Sequence, residues 1–325
     1  MRRHINDERI TAGGMTTLSR YPTHLGLVGM AALWGASWPW GWIVAQSMPP
    51  MAAACFRFFL ASAVLGLWLR KSGKMGALRS LDRRQWWGLV ATSAFGILGY
   101  SIFFLFALKT IPAGKAAVVV ALNPVLTLIL ASLLFREPLN WKIGLGVIMA
   151  VAGALYTLSG GSLAALMPGQ AGTGEVMLLG CVVCWVGYTL IGRMVLTSID
   201  SLATTTITAV IGAVLLLIAS LVFEGASAWK TLAEAPTKAW YSLIALALGG
   251  TALAYAWFLN GIKILGAGSA SAYIALVPVF GVLFSSLWLN EPLTMPLLSG
   301  GVLAITGMVI MNLGRIAANK PPVES

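Results

Sequence analysis

Few residues of this 325-residue chain could do chemistry. Its two histidines, His4 and His24, precede or open the first apolar stretch, and all ten acidic residues fall in tails, in loops or at the ends of apolar stretches. General acid–base and metal chemistry need such groups gathered in a shielded site. No Ser/His/Asp set, metal cluster or Gly-Lys phosphate loop can be assembled, so the chain reads as no enzyme, with no cofactor and no metal. Cys181 and Cys184 form a CxxC pair, but they and Cys55 lie inside apolar stretches with no histidine partner. All three read as packed thiols rather than a disulfide framework. Arg57 is the one full charge well inside an apolar stretch. An arginine at a membrane helix centre costs about 2.5 to 3.5 kcal/mol, which makes it a functional candidate. It stands roughly 9 Å past Met51 at a rise of about 1.5 Å per residue. Two roles stay open: a side chain that snorkels to the interface, or the partner of a substrate carboxylate.

The elements that must position these groups are set by composition. Hydrophobic residues make up 58% of the chain and charged residues 10%, with a mean hydropathy of +0.87. That leaves too little polar surface to cover a water-soluble globule. Ten apolar stretches are long enough to cross a bilayer: residues 25–45, 51–69, 86–108, 116–135, 141–158, 176–195, 202–223, 240–262, 270–289 and 297–313. The net charge of +11 would suggest nucleic acid in a soluble protein, but here the basic residues sort by loop. Sixteen Lys and Arg fall on one side of this topology and four on the other, with Arg57 inside a span. The positive-inside rule then places both termini in the cytoplasm. Residues 1–20 contain no apolar core of a secretory leader.

The spans are duplicated. Ala113 to Leu139 recurs without a gap 154 residues later as Ala267 to Leu293, pairing Gly114 with Gly268, Pro124 with Pro278 and Glu137-Pro138-Leu139 with Glu291-Pro292-Leu293. Outward extension pairs Gly96, Phe104, Lys109 and Gly153 with Gly250, Phe258, Lys263 and Gly307. Five spans per half is an odd number, so the second half must enter the membrane inverted. Inverted repeats are a common plan of secondary transporters, with the substrate near the midplane between the halves. The resulting division is a leader without fixed structure at 1–23, repeats at 24–158 and 174–314, a linker at 159–173 and a tail at 315–325.

Candidate cavity residues follow from turn spacing and helix breaks. Trp34, Ser37 and Trp38 share one face of the first span, which also holds Pro39. Trp40 and Trp42 read as belt or lipid-facing anchors. Tyr100 and Phe103 in the third span, and Tyr255 and Phe258 in its copy, form aromatic stripes that serve either packing or a cavity wall. Trp185 and Tyr188 mirror Trp34 and Ser37. Pro124 and Pro278 each free a backbone carbonyl at mid-span, as Pro39 should in the first span, with Asn123 and Tyr273 as polar groups at the same level. The fifth and tenth spans carry Gly144, Gly146, Gly153, Gly300, Gly301 and Gly307, small faces suited to tight packing between halves or between protomers.

Residues 24–314 resemble the EamA family of the drug/metabolite transporter superfamily. The resemblance rests on the two five-span halves, Leu33-Trp34-Gly35, Arg57-Phe58, and a proline in the fourth and ninth spans followed by Glu137-Pro138 and Glu291-Pro292. It implies an all-α polytopic protein of ten transmembrane helices in a bacterial inner membrane. The implied activity is alternating-access export of aromatic or amphipathic amino acids and related small metabolites, with similarity to aromatic amino acid exporters. It implies that the two glutamates cap or position helix ends. Export of another small metabolite or drug cation, a sugar-phosphate or nucleotide-sugar translocator, and a membrane scaffold or sensor are the other readings. The partners are then a small-molecule substrate and the lipid bilayer, with no nucleic acid; monomer and homodimer both stay open.

Overall fold

A computed structural model describes residues 17–78, 81–136, 139–162, 172–196 and 199–318. Glu137 and Pro138, most of the leader, the centre of the linker and the end of the tail lie outside the described residues. Every regular element described is helical. α1 (Thr17–Ser47) is 31 residues long, starts eight residues ahead of the expected span, and passes Pro22 and Pro39 without interruption. α2 (Pro50–Lys71) starts on a proline at its first turn, where the missing N–H costs nothing. α3 (Arg83–Ser93) opens with a reciprocal capping box between Asp82 and Gln85. It continues through a π-helical segment, Ala94–Gly99, into α4 (Tyr100–Leu108). α5 (Ala113–Val120) and α6 (Leu122–Phe135) are two pieces of one span, and α7 (Trp141–Leu158) closes the first half.

The second half repeats the pattern. α8 (Thr173–Val195) and α9 (Ser201–Ala219) are followed by the short α10 (Ser227–Ala233). α11 (Thr237–Ala245) passes through a π-helical segment, Leu246–Leu253, into α12 (Ala254–Leu265). α13 (Ala267–Ala272), a 3-10 turn at Tyr273–Leu276 and α14 (Val277–Leu289) make the next span, and α15 (Met295–Ala318) the last.

Among the described residues nine helices are long and apolar enough to cross a membrane. They cover every expected span except the first, so the chain is a multi-pass membrane protein. α1 has the length but not the hydropathy, because four tryptophans, a proline and several glycines dilute its aliphatic residues.

The duplication is visible in the backbone. Arg136 and Asn290 are 154 residues apart, and both end their helices in the left-handed conformation, with φ of 54° in each case. Left-handed caps usually take glycine or asparagine, so the arginine marks a position where the repeat dictates the turn. The π-helical segments Ala94–Gly99 and Leu246–Leu253 also overlap at the same offset.

Packing exchanges elements between halves. α1 lies against α12 and α14, α8 lies against α4 and α6, α2 runs along α9, and α7 along α15. The last pair is held by glycine. A Cβ on Gly146 would meet Gly307 O and Met311 N, and one on Gly153 would meet Gly300 O and Ala304 Cα. The glycine faces of the fifth and tenth spans thus meet each other within one chain. Gly144 is not part of that contact, since a Cβ there meets open space.

The proline breaks sort two ways. α-Helical bonding is interrupted at Ala121, three residues ahead of Pro124, and at Tyr273–Leu276, just ahead of Pro278. A proline removes the bond to the carbonyl four residues earlier, which is where both interruptions fall. At Pro39 the helix continues through the proline. Gly35, the residue whose carbonyl loses its partner, is clamped against Phe280 and Gly281 so closely that a Cβ would collide.

Candidate functional site

The π-helical segment Leu246–Leu253 brings two side chains of the first half onto adjacent residues of the second. Trp34 donates its indole Nε1–H to the Gly250 carbonyl at 3.1 Å. Arg57 donates Nε–H and Nη2–H to Thr251 Oγ1, at 3.2 and 3.1 Å. The Thr251 hydroxyl itself donates to Leu246 O at 3.0 Å, a five-residue reach that only the π geometry supplies. Thr251 is therefore fixed as an acceptor for Arg57. The guanidinium carbon also lies 5.0 Å from the Phe58 ring centroid, and Tyr100 and Tyr255 are its electrostatic neighbours.

Aromatic rings surround this pair. Trp34 meets Tyr255 edge-on at 5.5 Å and Phe258 at 5.4 Å. In a second run of rings Tyr100 meets Trp185 at 5.9 Å and Phe104 at 6.1 Å, and Trp185 meets Tyr188 at 5.9 Å. Trp38 joins this run through Phe104 at 5.2 Å. Trp38 and Phe104 are buried, whereas Trp34, Arg57, Tyr100, Trp185, Tyr188, Tyr255 and Phe258 keep accessible surface although they face other helices. Glycines admit the rings: a side chain at Gly96 would collide with Tyr188, and one at Gly250 with Ser37. Ser37 turns its hydroxyl back to Leu33 O at 2.9 Å.

Three expected cavity residues stand apart from the ring network. Phe103 packs into the notch at Gly180 on α8. Asn123 is 5% exposed beside the α5–α6 break, and its Oδ1 has no hydrogen-bond partner. Tyr273 shares a 2.6 Å hydrogen bond with His24 Nδ1 near the start of α1. The two tryptophans read as anchors do not stand alone either: Trp40 stacks on Trp288 at 5.7 Å, and Trp42 packs against the core.

Thr251 belongs to the more polar copy of the aromatic stripe, in the eighth span, but its pairing with Arg57 is not readable from spacing. Two carboxylates join the halves, and one of them, Glu291, is expected from the sequence to cap or position a helix end. Glu291 accepts the N–H groups of Ala113 and Gly114 at 2.7 and 2.9 Å, capping α5 across the repeat boundary. Glu224 accepts those of Met51 and Ala52 at 2.8 and 2.9 Å, capping α2. Lys115 and Glu175 pair at 3.5 Å beside the first of these caps. α5 packs on α14 at this end; at the other end no comparable contact joins α6 to α13 among the described residues.

The comparisons with known proteins agree with a two-repeat membrane carrier. The EamA-like transporter family matches twice, at residues 22–159 and 172–313. The chain is 30% identical over 283 residues to the uncharacterized transporter YyaM of Bacillus subtilis, covering 87% of this chain and 91% of that one. It is 26% identical over 308 residues to the uncharacterized transporter YvbV of the same organism, with 92% and 94% covered. A protein of Streptantibioticus cattleyicolor, named a probable terminal-alkyne amino-acid exporter, is 26% identical over 228 residues, with 68% and 72% covered. One crystal structure superposes with a TM-score of 0.61 at 20% identity, covering 93% of this chain and 100% of that chain, and so shares the fold.

Proposed function

The chain belongs to the EamA-like transporter family, and from that premise we propose that it exports aromatic or amphipathic amino acids and related small metabolites by alternating access. The observation that carries this reading is the cross-repeat site: half-buried Trp34, Tyr100, Tyr188 and Tyr255 around Arg57, between elements of both halves. Each well-placed ring pair is worth about 0.5 to 1.5 kcal/mol beyond its buried area, which favours cargo with an aromatic or flat apolar group. The relative named an amino-acid exporter supports an amino acid as that cargo.

In this reading α1 is a tenth crossing, both termini face the cytoplasm of a bacterial cell and the five-helix halves are inverted. The packed Glu291 end then faces outward, and the less-packed end between α6 and α13 faces inward. The substrate enters from the cytoplasm, and rocking of the halves about the broken spans at Pro124 and Pro278 moves the opening to the other side.

Proteoliposomes loaded with radiolabelled phenylalanine or tryptophan test this. The expected result is saturable counterflow above that of empty vesicles. No saturable flux of either amino acid overturns the substrate class.

A further inference from the structure

We infer that the site selects its cargo by a carboxylate and leaves the amino group unread, so that aryl and alkyl carboxylates without an amine are accepted while the matching amines are rejected. This rests on the transport-site reading above and goes beyond it by assigning which polar group of the substrate is recognised.

Arg57 has five N–H donors in a fixed fork. Two of them, Nε–H and one on Nη2, converge on Thr251 Oγ1. Of the remaining three, two, one on Nη1 and one on Nη2, lie in parallel on the Nη1–Nη2 edge, and no described residue is shown accepting them. That edge is the one that binds the two oxygens of a carboxylate in parallel.

The partner already present is neutral. Thr251 cannot balance the charge, and among the described residues no carboxylate is shown paired with Arg57: Asp82, Glu175, Asp200, Glu224, Glu234 and Glu291 lie in loops or at helix ends. Glu224, which caps α2, is committed to the Met51 and Ala52 N–H groups. A charge partly withdrawn from water gains most from a partner, and here the counter-charge is the one that cargo can bring.

The arrangement belongs to one half only. At the position equivalent to Thr251, 154 residues earlier, the first half has Ile97, and α9, which pairs with α2, carries no charged residue. A scaffold requirement would recur in both copies; a polar pair built into one copy points to the ligand. The same absence of carboxylates leaves an ammonium group nothing ionic to meet. Ring faces, backbone carbonyls and the neutral hydroxyls of Tyr100, Tyr188 and Tyr255 remain for it, and these discriminate weakly.

The test uses the purified full-length protein and four phenyl compounds: phenylalanine, 3-phenylpropionate, phenethylamine and phenylalaninol. Ligand-induced thermal shifts give apparent affinities, and competition against labelled phenylalanine in proteoliposomes gives the transport counterpart. Loss of the carboxylate is expected to weaken binding about tenfold to a hundredfold, the range of a charge-assisted hydrogen bond. Loss of the amine is expected to change it only a few-fold. Arg57→Lys, which keeps the charge and loses the fork, should lower carboxylate affinity, and Arg57→Gln should abolish the preference. Because the compound series is run on the unaltered protein, the outcome does not depend on either variant folding. Phenethylamine binding as tightly as 3-phenylpropionate overturns the inference, and so does a series in which no carboxylate binds. Leucine and isovalerate binding as tightly as their phenyl counterparts would instead remove the aromatic preference and leave the carboxylate role of Arg57 standing.

Discussion

Glu291 and Gly114 are 177 residues apart in sequence and 2.9 Å apart in space, the carboxylate that follows α14 in one half accepting the N–H that starts a helix of the other. The second oxygen takes the N–H of Ala113 at 2.7 Å. Two of the orphan donors of α5 are thereby satisfied, and the negative charge lies at the positive end of the helix. Glu291→Gln replaces one acceptor with a donor facing an N–H. The variant should lose about 1 to 2 kcal/mol of stability, and Glu224→Gln should do the same at α2. Thermal unfolding of the purified variants checks this; unchanged midpoints for both would contradict the cross-repeat caps.

Trp34 both donates to Gly250 O and meets the rings of Tyr255 and Phe258. Trp34→Phe removes only the donor, at a cost of about 0.5 to 1.5 kcal/mol. Trp34→Leu also removes the ring contacts, a further 0.5 to 1.5 kcal/mol or so per pair. Phenylalanine affinity should therefore fall in the order wild type, Trp34→Phe, Trp34→Leu. Thermal-shift titration reads the order, and equal affinity in the leucine variant would place the ligand elsewhere.

The seam between α7 and α15 predicts a contrast within one helix. Gly153→Leu forces a side chain toward Gly300 O, 2.5 Å from the Cβ position, and should cost about 1 to 3 kcal/mol or more. Gly144→Leu points into open space and should be tolerated. Monodispersity on gel filtration and the unfolding midpoint distinguish them. Equal damage at both positions would mean that the seam is not the packed face.

Asp200 caps α9 and pairs with Lys74 at 2.5 Å. Burial raises its pKa, but the hydrogen bond from Lys74, those from the Ala203 and Leu202 N–H groups and the Lys74 charge outweigh burial and hold it below the ordinary value. A carboxyl depressed in the folded state contributes stability above its unfolded pKa and loses that contribution as pH falls through the folded pKa. The wild type should therefore be more stable than Asp200→Asn near neutrality, and the two should converge in acid. The pair is partly exposed, with side chains 48% and 29% accessible, so the effect is small. Midpoints measured from neutral to acidic pH check it, and parallel curves would contradict it.

The repeat and nine of the ten expected spans were legible in the sequence because both are local: an apolar run sets a span, and a copied run sets its partner. The breaks ahead of Pro124 and Pro278 follow from a missing N–H and were legible for the same reason. At Pro39 the close approach of Phe280 to Gly35, from more than two hundred residues away, was not legible. Glu291 is expected at a helix end, but the helix it caps, the Arg57 partner of Thr251 and the cap made by Glu224 were not legible, for that reason too. Their partners lie across the repeat boundary, and the π-helical segment that aims Thr251 leaves no composition signal. The stacking of Trp40 on Trp288 was not legible either, since the two lie in different halves.

The central claim is that equivalent turns of the two halves face opposite sides of the membrane, with the site between them. Arg136 and Asn290 are those equivalent turns, sharing one backbone conformation. Cysteines placed at each, in a background where buried Cys55, Cys181 and Cys184 are replaced, can be labelled with a membrane-impermeant maleimide in intact cells and in inverted vesicles. Labelling of Asn290→Cys in cells alone and of Arg136→Cys in inverted vesicles alone is the predicted result; labelling of both from the same side would contradict it.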